Sequence, residues 1–147
     1  MTSRDFVEEN EAARQELSEL IATLDANSFT RAVGSGWTVS TLLCHLAFWD
    51  QRVFFLLREW QQGRFDASHL GGLTIDSINE AVKAISQAVP GPAAAKLAME
   101  SAAAVDSLVA GISDELAGEI DGAGFERFLR RSLHRREHVQ RIRQSLA

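Results

Sequence analysis

The sequence predicts an all-α protein: a four-helix bundle of up-down-down-up topology, with a long crossover that contains a short extra helix. Three observations predict it. Apolar residues recur at intervals of three and four along most of the chain, the period of a half-buried helix. Strand signals are almost absent, with no tyrosine, scattered β-branched residues and no run that alternates apolar with polar. Glycine and proline gather at a few places and cut the periodic stretches into pieces of bundle length.

The first helix is expected from about Arg4 to Leu24, with Phe6, Leu17, Leu20, Ile21 and Leu24 as its apolar stripe and the turn-rich DANSF at its end. The stretch TRAVGSGWTVS then reads as a loop, because Gly34 and Gly36 break a helix. Thr38 suits the N-cap of a second helix that continues to about Gln61, with Gly63 closing it. This helix carries two apolar stripes. Leu42, Leu46, Trp49, Val53, Leu56 and Trp60 form one face; Cys44, Phe48 and Phe55 form another. The first should face the bundle and the second a partner chain, which predicts a homodimer.

Residues 62–73 read as a loop and TIDSINEAVKAISQAV as the short crossover helix. A third main helix is expected from about Pro92 to Gly111, with Pro92 in its first turn. The glycine- and acid-rich ISDELAGEIDGAG reads as a loop before a fourth helix from about Phe125 to Ser145. The first-to-second and third-to-fourth links are short enough for antiparallel neighbours. The segment from 62 to 91 is too long for a hairpin and should carry the chain back along the bundle.

The totals exclude several classes. At 147 residues the chain is long enough for one domain with a sizeable core. No uninterrupted apolar run has membrane length, so no membrane span is expected. The charged N-terminus, MTSRDFVEENEAARQ, has no apolar segment or cleavage site of the secretory kind. Cys44 is the sole cysteine, which rules out an internal disulfide and fits a reducing cytoplasm. A net charge of −5 argues against a nucleic-acid partner. The basic cluster RFLRRSLHRREHVQRIR reads either as a solvated helix face or as an anion-handling surface.

Within that cluster, His134 and His138 stand one helical turn apart, the spacing at which a helix offers two nitrogens to one metal ion. They fall at the edge of the stripe of Phe128, Val139, Ile142 and Leu146 and should look into the mouth of the bundle. Arg127, Arg131 and Arg135 lie near the same edge, where they would disfavour further positive charge and keep the imidazoles neutral. Neutral imidazole is the form that binds metal. These arginines can also hold an anionic substrate by bidentate contacts.

His45 lies in the most apolar helix, so it is either a hydrogen-bonded core histidine or a third ligand across the bundle. Three histidines with an open position suit a catalytic metal such as zinc, nickel or iron. His69 reads as a surface residue or else as a fourth ligand or lid residue, Cys44 as a small core or interface residue, and Trp37 as packing or substrate stacking. Trp49 reads as packing or as a substrate contact beside Arg131 and Arg135. Asp50 reads as a partner for a histidine or as a cap or ion pair at the surface. Asn79 should tie the crossover helix to a loop, and Glu137 should face away from the two histidines.

The stretch GSGWTVSTLLCHLAFWDQRV resembles the signature of the DinB/YfiT-like superfamily, in a tryptophan before a capping residue and then a helix with one histidine and an aromatic–acidic pair. Here these are Trp37, Thr38, His45, Trp49 and Asp50. TIDSINEAVKAI resembles the family's crossover helix, with Asn79 at its asparagine, and LHRREHVQRIR resembles its last-helix HxxxH. Order and spacing match over nearly the whole chain. The resemblance implies a single DinB-like bundle domain over residues 1–147, often a homodimer, with a divalent metal on His45, His134 and His138. The related mycothiol-dependent maleylpyruvate isomerase type shares the bundle, usually with an added C-terminal domain that is missing here.

Characterised relatives include thiol-cofactor-dependent transferases and isomerases. The resemblance therefore implies a metal-dependent enzyme that uses a low-molecular-weight thiol to transfer, isomerise or hydrolyse a small molecule. The alternative is a non-catalytic homodimeric stress-type protein that binds a metal or ligand.

Overall fold

The computed structural model describes residues 4–70 and 75–147. Among them are seven α-helices: α1 (Asp5–Ala22), α2 (Ala26–Phe29), α3 (Val39–Gln62), α4 (Ile75–Ser86), α5 (Gly91–Gly111), α6 (Asp114–Gly122) and α7 (Arg131–Leu146). A two-stranded antiparallel hairpin, β1 (Ala32–Gly34) and β2 (Trp37–Thr38), precedes α3, and a 3₁₀ turn (Glu126–Phe128) precedes α7. The protein is an all-α bundle in which α3 packs chiefly on α5 and α1 on α7, with α4 laid along α3.

Local chemistry sets the ends of the helix that carries His45. Thr38 caps α3: its hydroxyl accepts from the Thr41 backbone N–H, while the Thr41 hydroxyl accepts from the backbone N–H of Thr38. Gly63 stands at the C-cap, as its position in the sequence predicts. On α5, Ala94, Ala95, Ala98, Ser101 and Ala102 are buried, and small side chains allow a close approach to α3.

Four regions differ from the sequence expectation. The expected loop before α3 is the hairpin, whose tip turns through Gly34, Ser35 and Gly36, all at positive φ. Three-residue and two-residue strands are too short to leave an alternating signature. The DANSF turn contains the short helix α2, closed by a capping box between Asp25 and Ser28. The expected acidic loop contains α6, capped by the Ser113 hydroxyl and buried through Leu116, Ala117 and Ile120. The last helix begins at Arg131, later than expected. The Asn10 side chain on α1 donates to Leu129 O at 2.7 Å and accepts from the Ser132 N–H at 2.8 Å, so α7 is capped by a residue of another helix. The crossover helix is present from Ile75; Thr74, with which its expected stretch begins, lies outside the described residues.

The core falls into two apolar clusters. One gathers Leu17, Leu20, Trp37, Leu42, Leu43, Leu46, Val139 and Ile142; the other gathers Phe6, Val53, Leu56, Leu57, Val105, Val109, Ile120 and Leu129. The buried polar side chains of Asn10, Asp50, Asp106, Arg131 and Arg135 belong to neither. Of the two stripes on α3, the first is buried apart from the half-buried Trp49. In the second, Cys44 is buried but Phe48 is 36% exposed and Phe55 59% exposed.

Candidate metal centre

His45 projects from the second turn of α3, and His134 and His138 from successive turns of α7, where the two helices face each other. The three ring centroids form a nearly equilateral triangle, with 4.9 Å between His45 and His134, 4.8 Å between His45 and His138, and 4.7 Å between His134 and His138. One nitrogen from each ring lies within 4.8 Å of the others. His45 and His138 are buried and His134 is half-buried.

The imidazoles are held neutral. Burial, then Arg141 and Arg131, lowers His45 to about 4. Burial, then His45 and Arg141, lowers His138 to about 3. His134 is lowered well below the usual histidine value, first by burial and then by Arg131. The sequence predicts neutral rings from the arginines alone; removal from water is the larger cause and the cations act second.

This donor set fits a divalent metal. Three neutral nitrogens converge, and His45 Nε2 lies only 3.0 Å from His134 Nε2. The buried Nδ1 of His45, on the outer side of its ring, has no hydrogen-bond partner among the described residues. Three imidazoles with room for further ligands match the donor chemistry of zinc and similar ions.

The family model described as the DinB superfamily matches residues 9–142. The chain belongs to the DinB superfamily. No curated protein and no solved structure gives a significant match to it. The matched region includes all three histidines, His45, His134 and His138.

The triad opens on a cavity of about 850 Å³. Leu42, Trp49 and Val53 of α3 and Ile75 and Asn79 of α4 supply one side; Arg127, Arg131, Glu137 and Arg141 supply charged groups on the other. Trp49 Nε1 donates to Asn79 Oδ1 at 2.8 Å, so Asn79 ties the crossover helix to α3 itself rather than to a loop. Glu137 is exposed at the edge of the cavity, 3.7 Å from Arg127.

Arg131 and Arg135 occupy different places. Arg131 reaches the cavity, but its Nε donates to Asp50 at 2.8 Å, its Nη1 to Arg127 O at 3.1 Å, and its Nη2 lies 3.5 Å from His134 Nδ1. Arg135 has no exposed surface and does not line the cavity; it makes a bidentate pair with Asp106 at 2.7 and 2.8 Å and reaches Asp50 at 3.3 Å. Asp50 is thus a buried ion-pair partner and not a surface one. His69 is exposed and outside the triad, and Cys44 is buried with its thiol pushed up by burial. Arg141 is the cavity residue that the sequence reading missed. It falls one turn beyond His138, and the i, i+3 spacing was the available signal.

Proposed function

We propose that this protein is a divalent-metal-dependent enzyme acting on a small molecule in the cavity beside His45, His134 and His138. The observation that carries this reading is the convergence of three neutral imidazoles at a cavity open to ligands. A divalent metal bound there would lower the pKa of a water or thiol and polarise the substrate. The proposed reaction is transfer of a low-molecular-weight thiol, or a related isomerisation or hydrolysis. The chain's own residues do the positioning: the imidazoles present lone pairs, Trp49 and Leu42 shield one side of the site from water, and Asn79 fixes the Trp49 indole. Zinc, nickel and iron all suit the donors. Trp49 remains a proposed substrate contact, and a cytoplasmic location belongs to the same reading.

Elemental analysis of untagged protein tests it, beside His45→Ala, His134→Ala and His138→Ala. Near-stoichiometric metal, lost in each variant, is the expected result. Protein that carries no metal and takes up none when supplied would end the reading.

A second reading is a non-catalytic homodimer that holds a metal or ligand. The exposure of Phe48 and Phe55 on one side of α3 favours the dimer. Light scattering on wild type and on Phe48→Ser/Phe55→Ser tests it: a dimeric mass that halves in the variant supports the interface, and a monomeric wild type refutes it. Among the described residues no helix is long and apolar enough to cross a membrane.

A further inference from the structure

The arginines that line the cavity are not alike. Arg127 lies 3.7 Å from Glu137, and Arg131 is paired with Asp50 at 2.8 Å. Arg141 has no carboxylate partner among the described residues. Its guanidinium touches only His138 Nδ1 at 3.4 Å and Val33 O of the hairpin at 3.5 Å, both at the outer limit of a hydrogen bond. A guanidinium carries five donors, so most of its capacity is unfilled. It is half-buried, in a cavity whose other carboxylates belong elsewhere: Glu80 is paired with Lys83 at 3.0 Å, and Asp76 sits on the α4 rim.

A second observation points the same way. A histidine that binds metal normally donates its outer N–H to a carboxylate or carbonyl. Here the outer nitrogens of His134 and His138 meet the guanidinium groups of Arg131 and Arg141 instead. Adding a dication to this triad would raise positive charge beside two cations, with Asp50 already shared between Arg131 and Arg135. The local charge is balanced when an anion enters and draws Arg141 away from His138.

We propose that Arg141 is the anion-binding residue of the cavity, and that the ligand is a small molecule with a carboxylate arm on an otherwise apolar or thiol-bearing body. Metal and anion then bind cooperatively, each relieving the charge that opposes the other. This deepens the metal-dependent reading and rests on it.

The test loads the protein with cobalt(II) and follows its visible absorption. Thiols enter the coordination sphere of such a metal and shift its bands. The probes are ω-mercaptocarboxylates of two to five carbons, each against the ω-mercaptoalcohol of the same length. At the best length, the acid should bind roughly tenfold more tightly than the alcohol in wild type, the scale of one charge-assisted hydrogen-bonded pair. In Arg141→Gln that ratio should fall to about one, and in Arg141→Lys, which keeps a cation, most of it should return. An acid preference that survives in Arg141→Gln, or no preference in wild type at any length, overturns the role of Arg141 while thiol-induced band shifts leave the metal site standing. If cobalt does not bind, the metal reading fails and this proposal fails with it. Should Arg141→Gln not fold, Arg141→Lys decides: an acid-to-alcohol ratio below wild type but above one supports the proposal, and an unchanged ratio overturns it.

Discussion

Two polar clusters lie side by side where α3 meets α7, and they differ in how their charges are matched. In one, Arg135 grips Asp106, Arg131 grips Asp50, Asp50 also meets Arg135, and Arg14 adds a further contact to Asp106 at 3.1 Å. Each carboxylate has two cationic partners. In the other, His45, His134 and His138 crowd together with one buried nitrogen orphaned and two outer nitrogens facing cations. The same two helices carry both: Asp50 follows His45 by five residues on α3, and Arg131 and Arg135 interleave with His134 and His138 on α7. The ion cluster matches each carboxylate with cations within the fold, although Arg135 Nε, like His45 Nδ1, is buried without a hydrogen-bond partner among the described residues. The histidine cluster sets neutral rings beside cations, and among the described residues no carboxylate is bonded to any ring.

The largest expected effect breaks the complete cluster. Arg135→Ala should destabilise the protein by about 3–5 kcal/mol in urea unfolding, because Asp106 stays buried with a poorer partner. Pairing Arg135→Met with Asp106→Leu should recover most of that loss, since an apolar pair of similar volume often replaces a buried ion pair at little cost. A single variant with near wild-type stability would show that the cluster is not structural. By contrast, single histidine-to-alanine changes in metal-free protein should cost far less than Arg135→Ala. For His45→Ala the packing lost is partly offset by removal of its unsatisfied Nδ1.

Acid sharpens the contrast. His45 and His138 titrate in the folded protein at about 4 and about 3, below the ordinary histidine value of 6.5. The unfolded chain therefore binds more protons than the folded one between those values. Their neutral burial is favourable above pH 6.5, and stability falls as pH drops from 6.5 towards 4, by roughly 3 kcal/mol for each ring. His45→Gln/His138→Gln should flatten the stability curve between pH 6.5 and 4.5; an equally steep curve in the variant would assign the acid response to other groups.

Metal addition should act on the second cluster alone. At a free zinc concentration a hundredfold above Kd, linkage gives about 2.7 kcal/mol of added stability, visible as a rise in Tm. The rise should vanish in His134→Ala and persist in a folded variant of the ion cluster such as Arg135→Met/Asp106→Leu. A rise retained in His134→Ala would place the metal elsewhere.

Much of this was legible before any coordinates, and the reasons are physical. Long helices announce themselves by period and caps, which is why α3 could be read from Thr38 to Gly63. The i, i+4 spacing of His134 and His138 already placed both rings on one face. What escaped depends on partners distant in sequence. The start of α7 is set by Asn10, more than a hundred residues away, and the role of Arg135 by Asp106 and Asp50. Arg131, Arg135 and Arg141 look alike in the run of arginines. Only the placement of carboxylates on α3 and α5 shows that the first two are paired and the third is not.

The smallest effect concerns the wall between the cavity and solvent. Trp49 and Asn79 share one hydrogen bond, half-buried, which joins α4 to α3 beside the histidines and touches no part of the ion cluster. Asn79→Ala should cost about 0.5–1.5 kcal/mol, since water can replace much of what a half-buried indole N–H loses. Adding Trp49→Phe to Asn79→Ala should cost less than Trp49→Phe alone, because the shared bond can be lost only once. The comparison predicts more than the stability term. Ligand affinity at the histidine site should weaken in Asn79→Ala, through a looser cavity wall, while the cost of Arg135→Ala is the same in both backgrounds. Full additivity between Asn79→Ala and Trp49→Phe would mean that the bond contributes nothing to either cluster and that α4 is held by its other anchors, the burial of Val82 and the Lys83 contacts with Ser35 O and the Trp37 ring.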